Sequence, residues 1–164
     1  MVILILTTGG TIDNLDYDMP ENYPEGHKSL IPELLSQARV TSKYRVEELM
    51  SKDSRFINDV DRAVMVSACE TATEEQILIS HGTLSMVETA KYIGQKKISK
   101  SIILFGSHIP AINPNSDALA NLGAAITAIQ ILEHGVYIAM NGSIFTWDNV
   151  QKNMVSETFE RIRS

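Results

Sequence analysis

The first twelve residues, Met1 to Ile12, read MVILILTTGGTI and indicate how the chain folds. Met1–Leu6 is a continuous apolar run, which is typical of a strand buried on both faces of a sheet. Gly9, Gly10 and Thr11 come shortly after it, and paired glycines favour a tight turn. A buried strand that runs into such a turn is a common beginning of a parallel α/β sheet. This stretch therefore predicts an α/β fold.

The rest of the chain alternates short apolar runs with segments that have helical spacing. The predicted strands are Lys43–Leu49, Ile77–Ile79, Ile102–Phe105 and Val136–Met140. The predicted helices begin at Ser29, Asn58, Ser85 and Ser116, and a short helical segment is expected over Glu157–Arg163. Strands that alternate with helices in this order predict a three-layer sandwich, in which helices cover both faces of a mostly parallel sheet.

Capping residues support several of these helix boundaries. Asn58 and Asp61 have the spacing of a helix start, and Ser85 and Glu88 have the spacing of a capping box for a helix that ends near Gly94. The helix that begins at Ser116 is expected to be long, with Gly135 at the position of a C-terminal glycine.

Composition limits the class of protein. The chain has 164 residues, of which 44% are hydrophobic and 21% charged, and this favours one globular domain over residues 1–164. The net charge of -6 disfavours nucleic acid as a partner, and no apolar run is long enough for a membrane span. We therefore expect a cytoplasmic protein. Cys69 is the single cysteine, and its apolar neighbours predict a buried, unreactive thiol.

Polar segments follow several of the predicted strands. They are Thr8–Thr11, His81–Ser85, Gly106–His108 and Asn141–Lys152. Ligands bind outside the carboxyl ends of the strands in open α/β sheets, so we expect these segments to converge on one cleft. Asp13–His27 is rich in acidic residues and proline, which predicts a long surface loop of the kind that often covers a site.

Several common chemistries have weak support. Thr8–Thr11 lacks the lysine of a P-loop and the glycine spacing of a dinucleotide site, so nucleotide binding is a minor alternative. The four histidines and the single cysteine lack metal-ligand spacing, and no metal site is predicted. The sequence also has no Gly-x-Ser-x-Gly motif, which counts against an α/β-hydrolase.

Two threonines stand out beside glycines at predicted strand ends. Thr11 follows Gly10, and Thr83 follows Gly82. A threonine hydroxyl needs a neighbouring base to act as a nucleophile, and Lys and Tyr are the candidates in this sequence. Backbone N–H groups at such turns can stabilise an oxyanion. For each threonine taken alone, a structural turn is as good an interpretation as catalysis.

Three segments together resemble the bacterial-type L-asparaginase family. They are Thr8-Gly9-Gly10-Thr11-Ile12, then His81-Gly82-Thr83-Leu84-Ser85-Met86 with Glu88-Thr89-Ala90, and finally Gly106-Ser107 with Pro110, Ser116-Asp117-Ala118 and Asn121-Leu122. The resemblance spans essentially the whole chain. It implies the fold of the N-terminal domain of that family and hydrolysis of a side-chain amide to a carboxylate and ammonia, without metal or organic cofactor.

The resemblance also implies roles for individual residues. Thr11 is similar to the family's nucleophilic threonine, Thr83 to its second catalytic threonine and Lys152 to the lysine that works with it. Tyr23 resembles the tyrosine of the mobile lid, with Tyr17 as a weaker match. The substrate-binding residues implied are Gly10, Ser51, Lys52, Gly82 and the residue at Leu84. Which threonine attacks first stays open.

Leu84 departs from the family pattern, because the family has an aspartate there. That carboxylate pairs with the lysine and receives the α-ammonium of the substrate, and leucine can do neither. An unpaired buried charge is costly, so free asparagine should bind poorly. Either the substrate lacks the ammonium group, or the protein has lost the activity and acts as a binding module for a small molecule or a partner.

The second departure is length. Family members are about twice as long, and their smaller C-terminal domain completes the active site of a neighbouring subunit. We therefore expect this chain to lack that domain. A homo-oligomer, either a dimer or a tetramer, or a separate partner chain would then have to close the cleft.

Overall fold

The computed structural model describes residues 1–14 and 28–163. The predicted loop over Asp13–His27 lies mostly outside the described residues, and both Tyr17 and Tyr23 lie outside them. The strands are β1 (Ile3–Thr7), β2 (Tyr44–Glu48), β3 (Gln76–Ser80), β4 (Ser101–Phe105), β5 (Gly135–Met140), β6 (Ser143–Thr146), β7 (Gln151–Lys152) and β8 (Phe159–Glu160). The α-helices are α1 (Ile31–Gln37), α2 (Asp59–Thr71), α3 (Met86–Gly94) and α4 (Ala118–Ala128).

The main sheet has the strand order β2-β1-β3-β4-β5-β6. Strands β1 to β5 pair in parallel, and β6 returns antiparallel to β5. The predicted α/β class and the mostly parallel sheet are therefore confirmed. The β7–β8 pair forms a separate antiparallel ribbon that lies after the sheet in sequence.

Two apolar cores lie on opposite faces of the sheet. Leu4 and Leu6 of β1 pack into the core that α2 and α3 share, whereas Ile3 and Ile5 pack into the core with α1 and α4. This alternation follows from the two-residue period of a strand, and it explains why Ile3–Leu6 are all buried, whereas Met1 and Val2, which precede β1, are exposed. The helices therefore cover both faces, as the three-layer prediction requires.

Several predicted boundaries need correction. Ser85 makes no side-chain cap, because its hydroxyl donates to the Ser54 carbonyl oxygen at 2.6 Å instead. Gly135 does not end a helix: α4 ends at Ala128, and Gly135 is the first residue of β5. Glu157–Arg163 is not helical, since Phe159–Glu160 forms β8. The capping box at Asn58 is confirmed.

The single cysteine lies in the core. Cys69 is fully buried, as predicted, and burial raises the pKa of its thiol to about 12, so it stays protonated at neutral pH. Among the described residues, no helix combines the length and apolar character that crossing a bilayer would need.

Candidate active site

The turns that follow β1 and β3 meet at the carboxyl edge of the sheet. Gly9 and Gly10 have φ angles of 92° and 90°, a region that side chains other than glycine rarely adopt. A Cβ atom on Gly10 would lie 2.5 Å from the backbone nitrogen of Gly82, and one on Gly9 would lie 2.6 Å from that of Lys52. Both glycines are therefore needed for the close approach of three backbone segments.

A shallow pocket opens where these turns meet. Its lining residues are Thr11, Asp53, Ser54, Arg55, Thr83 and Leu84. The cavity measures about 10 Å³, which is close to the minimum for a single water. The structure thus brings the two predicted threonines to one pocket, although they are far apart in sequence.

Lys152 contacts Thr83 directly. Its Nζ donates a hydrogen bond to Thr83 Oγ1 at 3.0 Å, and it reaches this position from β7 of the ribbon. Burial lowers the pKa of Lys152, and the nearby Glu157 carboxylate partly opposes that shift. A lysine with a lowered pKa has a larger neutral fraction near neutral pH, and only the neutral amine can accept a proton.

A hydrogen-bond network of polar side chains includes His81, which is buried and comes two residues before Thr83 in the sequence. The ring of His81 contacts the Gly82 carbonyl oxygen through Nδ1 at 2.8 Å and Thr89 Oγ1 through Nε2 at 2.9 Å, and Arg62 Nε donates to Thr89 Oγ1 at 3.1 Å. Because a carbonyl only accepts, Nδ1 carries the proton and Nε2 accepts from Thr89. Burial lowers the pKa of His81 to about 4, and the positive charge of Arg62 adds to this effect.

The predicted substrate-binding residues Ser51 and Lys52 do not line the pocket. The Ser51 hydroxyl donates to Glu48 at 3.5 Å on the surface, and Lys52 Nζ pairs with Asp61 at 2.9 Å. The Lys52 backbone nevertheless packs against Gly9.

Ser54 and Arg55 line the pocket in their place. Ser54 is buried and begins a short 3₁₀ helix, and a Cβ atom on Gly82 would lie 2.5 Å from its hydroxyl oxygen. Asp53 caps this helix by accepting from Arg55 N at 2.8 Å, and its other oxygen pairs with the Arg55 guanidinium at 2.9 Å. An aspartate followed by serine is a helix-start signal that could have pointed to this segment.

Leu84 forms an apolar part of the pocket wall. Its side chain is 36% exposed and offers no hydrogen-bonding group to a ligand. Asp53 is the one carboxylate among the residues that line this pocket, and it already binds Arg55. The described residues also contain no group of three His, Cys, Asp or Glu side chains that could hold a metal ion.

The site thus combines a Thr–Lys pair and a second threonine at the carboxyl edge of a mostly parallel α/β sheet. The family model described as "Asparaginase, N-terminal" matches residues 2–164. This chain therefore belongs to the asparaginase family, and the resemblance read from its sequence is confirmed.

Individual relatives agree with this assignment. The L-asparaginase of Thermococcus kodakarensis is 28% identical over 162 residues, which cover 93% of this chain and 48% of that protein. A glutamyl-tRNA(Gln) amidotransferase subunit from Methanococcus maripaludis strain C6 is 32% identical over 149 residues, which cover 85% of this chain and 35% of that one. The chain thus spans at most about half the length of these two relatives.

Solved structures show the same fold. The thermostable L-asparaginase from Thermococcus kodakarensis superposes with a TM-score of 0.86 at 26% identity, covering 100% of this chain and 52% of that chain. A probable cytoplasmic L-asparaginase from Campylobacter jejuni gives a TM-score of 0.82 at 24% identity, covering 98% of this chain and 53% of that chain. The predicted likeness to an asparaginase N-terminal domain is therefore confirmed at the level of fold.

Proposed function

We propose that this chain hydrolyses a side-chain amide, of asparagine or of a related compound, to a carboxylate and ammonia. The observation that carries the proposal is the hydrogen bond of 3.0 Å from Lys152 Nζ to Thr83 Oγ1, beside a pocket that Thr11 also lines. A threonine next to an amine of lowered pKa has the base that an alcohol nucleophile requires.

The proposed reaction has two stages. In the first, the oxygen of Thr11 attacks the amide carbon while its proton passes to a base, for which the deprotonated phenol of Tyr23, expected from the sequence resemblance, is the candidate. The C–N bond then breaks, the nitrogen takes a proton, and ammonia leaves an ester on Thr11. In the second stage, neutral Lys152 takes a proton through Thr83 from a water, whose oxygen attacks the ester carbon. The ester C–O bond then breaks, the Thr11 oxygen takes the proton held by Lys152, and the product leaves as the carboxylate. Backbone N–H groups of the Gly10 and Gly82 turns are the candidates for stabilising the oxyanion.

An alternative order gives Thr83 the first attack, because Lys152 is its direct partner. The same bonds form and break, but the ester then forms on Thr83. The two orders differ in the residue that carries the acyl group. Acid quenching during turnover, followed by peptide mass spectrometry, identifies that residue.

Leu84 directs the substrate preference that we propose. The α-ammonium group of free asparagine would face an apolar side chain, and Asp53 already binds Arg55. Leaving a buried charge unpaired typically costs ~3–5 kcal/mol. We therefore propose amides without a free α-ammonium group, such as N-acylated asparagine, as better substrates than asparagine itself. Substrate binding by Ser51 and Lys52 stays a prediction from the sequence. We propose Ser54, which lines the pocket, as a further substrate-binding residue.

Ammonia release from asparagine, glutamine, D-asparagine and N-acetylasparagine tests this function. Thr11→Val and Thr83→Val remove each hydroxyl at almost constant shape, and Thr127→Val on the exposed face of α4 is the matched control. We expect loss of turnover in the first two variants and wild-type turnover in the control. Full activity in both pocket variants would contradict the mechanism.

A binding module is the second candidate function, and Leu84 is the observation that favours it. The absence of an aspartate at position 84 would abolish turnover, while the cleft could still bind a small carboxylate or amide. Calorimetric binding of N-acetylasparagine without any ammonia release would support this function. Turnover by the wild-type chain would exclude it.

We also propose that a second protein chain closes the pocket, in a homo-oligomer or a complex. The observation that supports this is that the pocket built by the described residues is shallow. Light scattering during gel filtration distinguishes a monomer from an oligomer. Substrate turnover by a strictly monomeric species would contradict the proposal.

A further inference from the structure

The position of Lys152 depends on a ribbon that has few residues of its own. Strand β7 consists of Gln151 and Lys152, and among the described residues it pairs only with Phe159 and Glu160 of β8. Isolated two-stranded ribbons are marginal in water, so outside contacts must fix this one. A side chain that holds β8 in place therefore also holds Lys152.

The hydrogen-bond pattern of the ribbon turns one backbone N–H of β8 outward, towards the rest of the chain. Asn153 N donates to the Thr158 carbonyl oxygen at 2.8 Å, and hydrogen-bonded pairs alternate with non-hydrogen-bonded pairs along an antiparallel ladder. The next pair, Lys152 and Phe159, is therefore a non-hydrogen-bonded pair, and the N–H of Phe159 points away from β7. Asn141 Oδ1 accepts that N–H at 2.8 Å.

Asn141 is itself held by a second asparagine. Its backbone N–H donates to Asn121 Oδ1 at 3.2 Å, and Asn121 is buried on α4. The Asn121 amide nitrogen donates to the Gly106 carbonyl oxygen at 3.0 Å and to an Asp117 oxygen at 2.8 Å. Every polar atom of this amide is thus engaged, which fixes both its orientation and the position of its acceptor oxygen.

The two amides connect the carboxyl end of β4 to the ribbon. The connections run from Gly106 to Asn121, from Asn121 to Asn141, and from Asn141 to Phe159, which lies opposite Lys152. Phe159 is buried in the core under the sheet, so the ribbon is anchored by packing and by hydrogen bonding at the same residue.

We propose that Asn141 is a positioning residue that holds β8 through Phe159 and so keeps Lys152 Nζ at Thr83 Oγ1, with Asn121 holding Asn141. This inference rests on the proposed amide hydrolysis. It adds a residue outside the pocket that controls the efficiency of the Thr83–Lys152 pair. Small misplacements of a reacting group are enough for a large loss of rate.

The left-handed backbone conformation of Asn141 makes Asn141→Gly an informative test. Asn141 has a φ of 53° and precedes Gly142 at 70°, so glycine fits without strain and the variant removes the acceptor. Asn141→Asp keeps an acceptor oxygen. The matched control is Asn113→Gly, which removes a side-chain acceptor from the Asn115 N–H at 2.9 Å in an exposed loop.

We expect Asn141→Gly to lower kcat about 10- to 100-fold with little change in KM, since the group that moves acts on the chemistry and not on binding. Asn141→Asp should keep most of the activity, and Asn113→Gly all of it. A second readout is the titration of Lys152 by NMR of ¹³C-methylated lysines, assigned with Lys152→Arg. In Asn141→Gly its pKa should rise towards the ordinary lysine value as Nζ gains water.

A lower melting temperature in Asn141→Gly, with kcat and the Lys152 titration both unchanged, would overturn the positioning role. If the wild type hydrolyses no amide, the proposed function fails, and the Lys152 titration still decides whether Asn141 positions the amine.

Discussion

Gly10 and Gly82, which each precede a threonine of the pocket, pack against each other so closely that a Cβ atom on Gly10 would lie 2.5 Å from the Gly82 nitrogen. In Gly10→Ala the new Cβ atom would clash with the Gly82 nitrogen. Alanine would also have to adopt a φ of 90°, which side chains other than glycine rarely allow. Overpacking alone typically costs about 1–3 kcal/mol, and the unfavourable φ adds to it. We expect Gly10→Ala to lower the free energy of unfolding in urea by at least that amount and to abolish turnover.

Gly123→Ala is the matched control for this prediction. Gly123 lies inside α4, and a Cβ atom there would have no neighbour within 4 Å. Alanine in a helix is more favourable than glycine by about 1 kcal/mol, so this variant should be slightly more stable than the wild type. Equal stability of the two alanine variants would show that the turns do not need the close approach.

Sequence reasoning predicted the sheet well because its strands carry a strong local signal. Ile3–Leu6 are apolar at every position and all buried, which is the pattern typical of a strand buried on both faces of a sheet. The same reasoning correctly indicated that Thr11 and Thr83 meet, because the carboxyl ends of parallel strands share one edge.

The errors arose where a long-range contact decides the local structure. Ser85 has the spacing of a capping residue, but its hydroxyl donates to the carbonyl oxygen of Ser54, which no helix pattern can reveal. Ser54 also lines the pocket and was not predicted, whereas Ser51, which the family resemblance implied, stays a prediction. The ribbon was missed because β7 and β8 have two residues each, which is too short for a periodic pattern.

The stability of the fold should depend on pH through His81. Burial lowers the pKa of His81 to about 4 from an ordinary value of 6.5, so between these values the unfolded chain binds a proton that the folded chain excludes. Stability is therefore complete above about pH 6.5 and falls as the pH drops towards 4, by roughly 3 kcal/mol in total at 1.36 kcal/mol per pKa unit. Urea unfolding across this range measures the slope.

His81→Gln removes the titrating imidazole. His134→Gln is the control, because His134 lies outside the hydrogen-bond network of His81. The first variant should be less stable than the wild type at pH 7 but should lose much less stability on acidification. The second should follow the wild-type slope. If His81→Gln retained the full wild-type slope, another group would be responsible for it.

Leu84→Asp should create or strongly increase activity towards free asparagine. The new carboxylate would lie at the pocket wall, where it can pair with an α-ammonium group, and a charge-assisted hydrogen bond contributes about 1.5–3 kcal/mol. We expect kcat/KM for asparagine to rise by about 10- to 100-fold, at 1.36 kcal/mol per tenfold. Leu84→Asn is the control, because asparagine has nearly the same size as aspartate but carries no charge.

The ratio of kcat/KM for two substrates makes this prediction specific. Leu84→Asp should favour asparagine over N-acetylasparagine, and the wild type should show the reverse preference. If neither Leu84→Asp nor the wild type releases ammonia from any amide, missing walls of the pocket explain the inactivity better than Leu84 does.

Activity should rise with pH through the titration of Lys152. Burial lowers the pKa of this amine, so the neutral base becomes available at a pH below the ordinary lysine value of 10.5. Lys152→Arg keeps the positive charge but cannot lose a proton in the working range, and we expect a loss in kcat of about 100-fold or more. Lys91→Arg on the exposed face of α3 is the matched control and should leave both rate and pH profile unchanged. A Lys152→Arg enzyme that keeps the wild-type rate and the same pH limb would assign the base to another group, because a guanidinium cannot produce that limb.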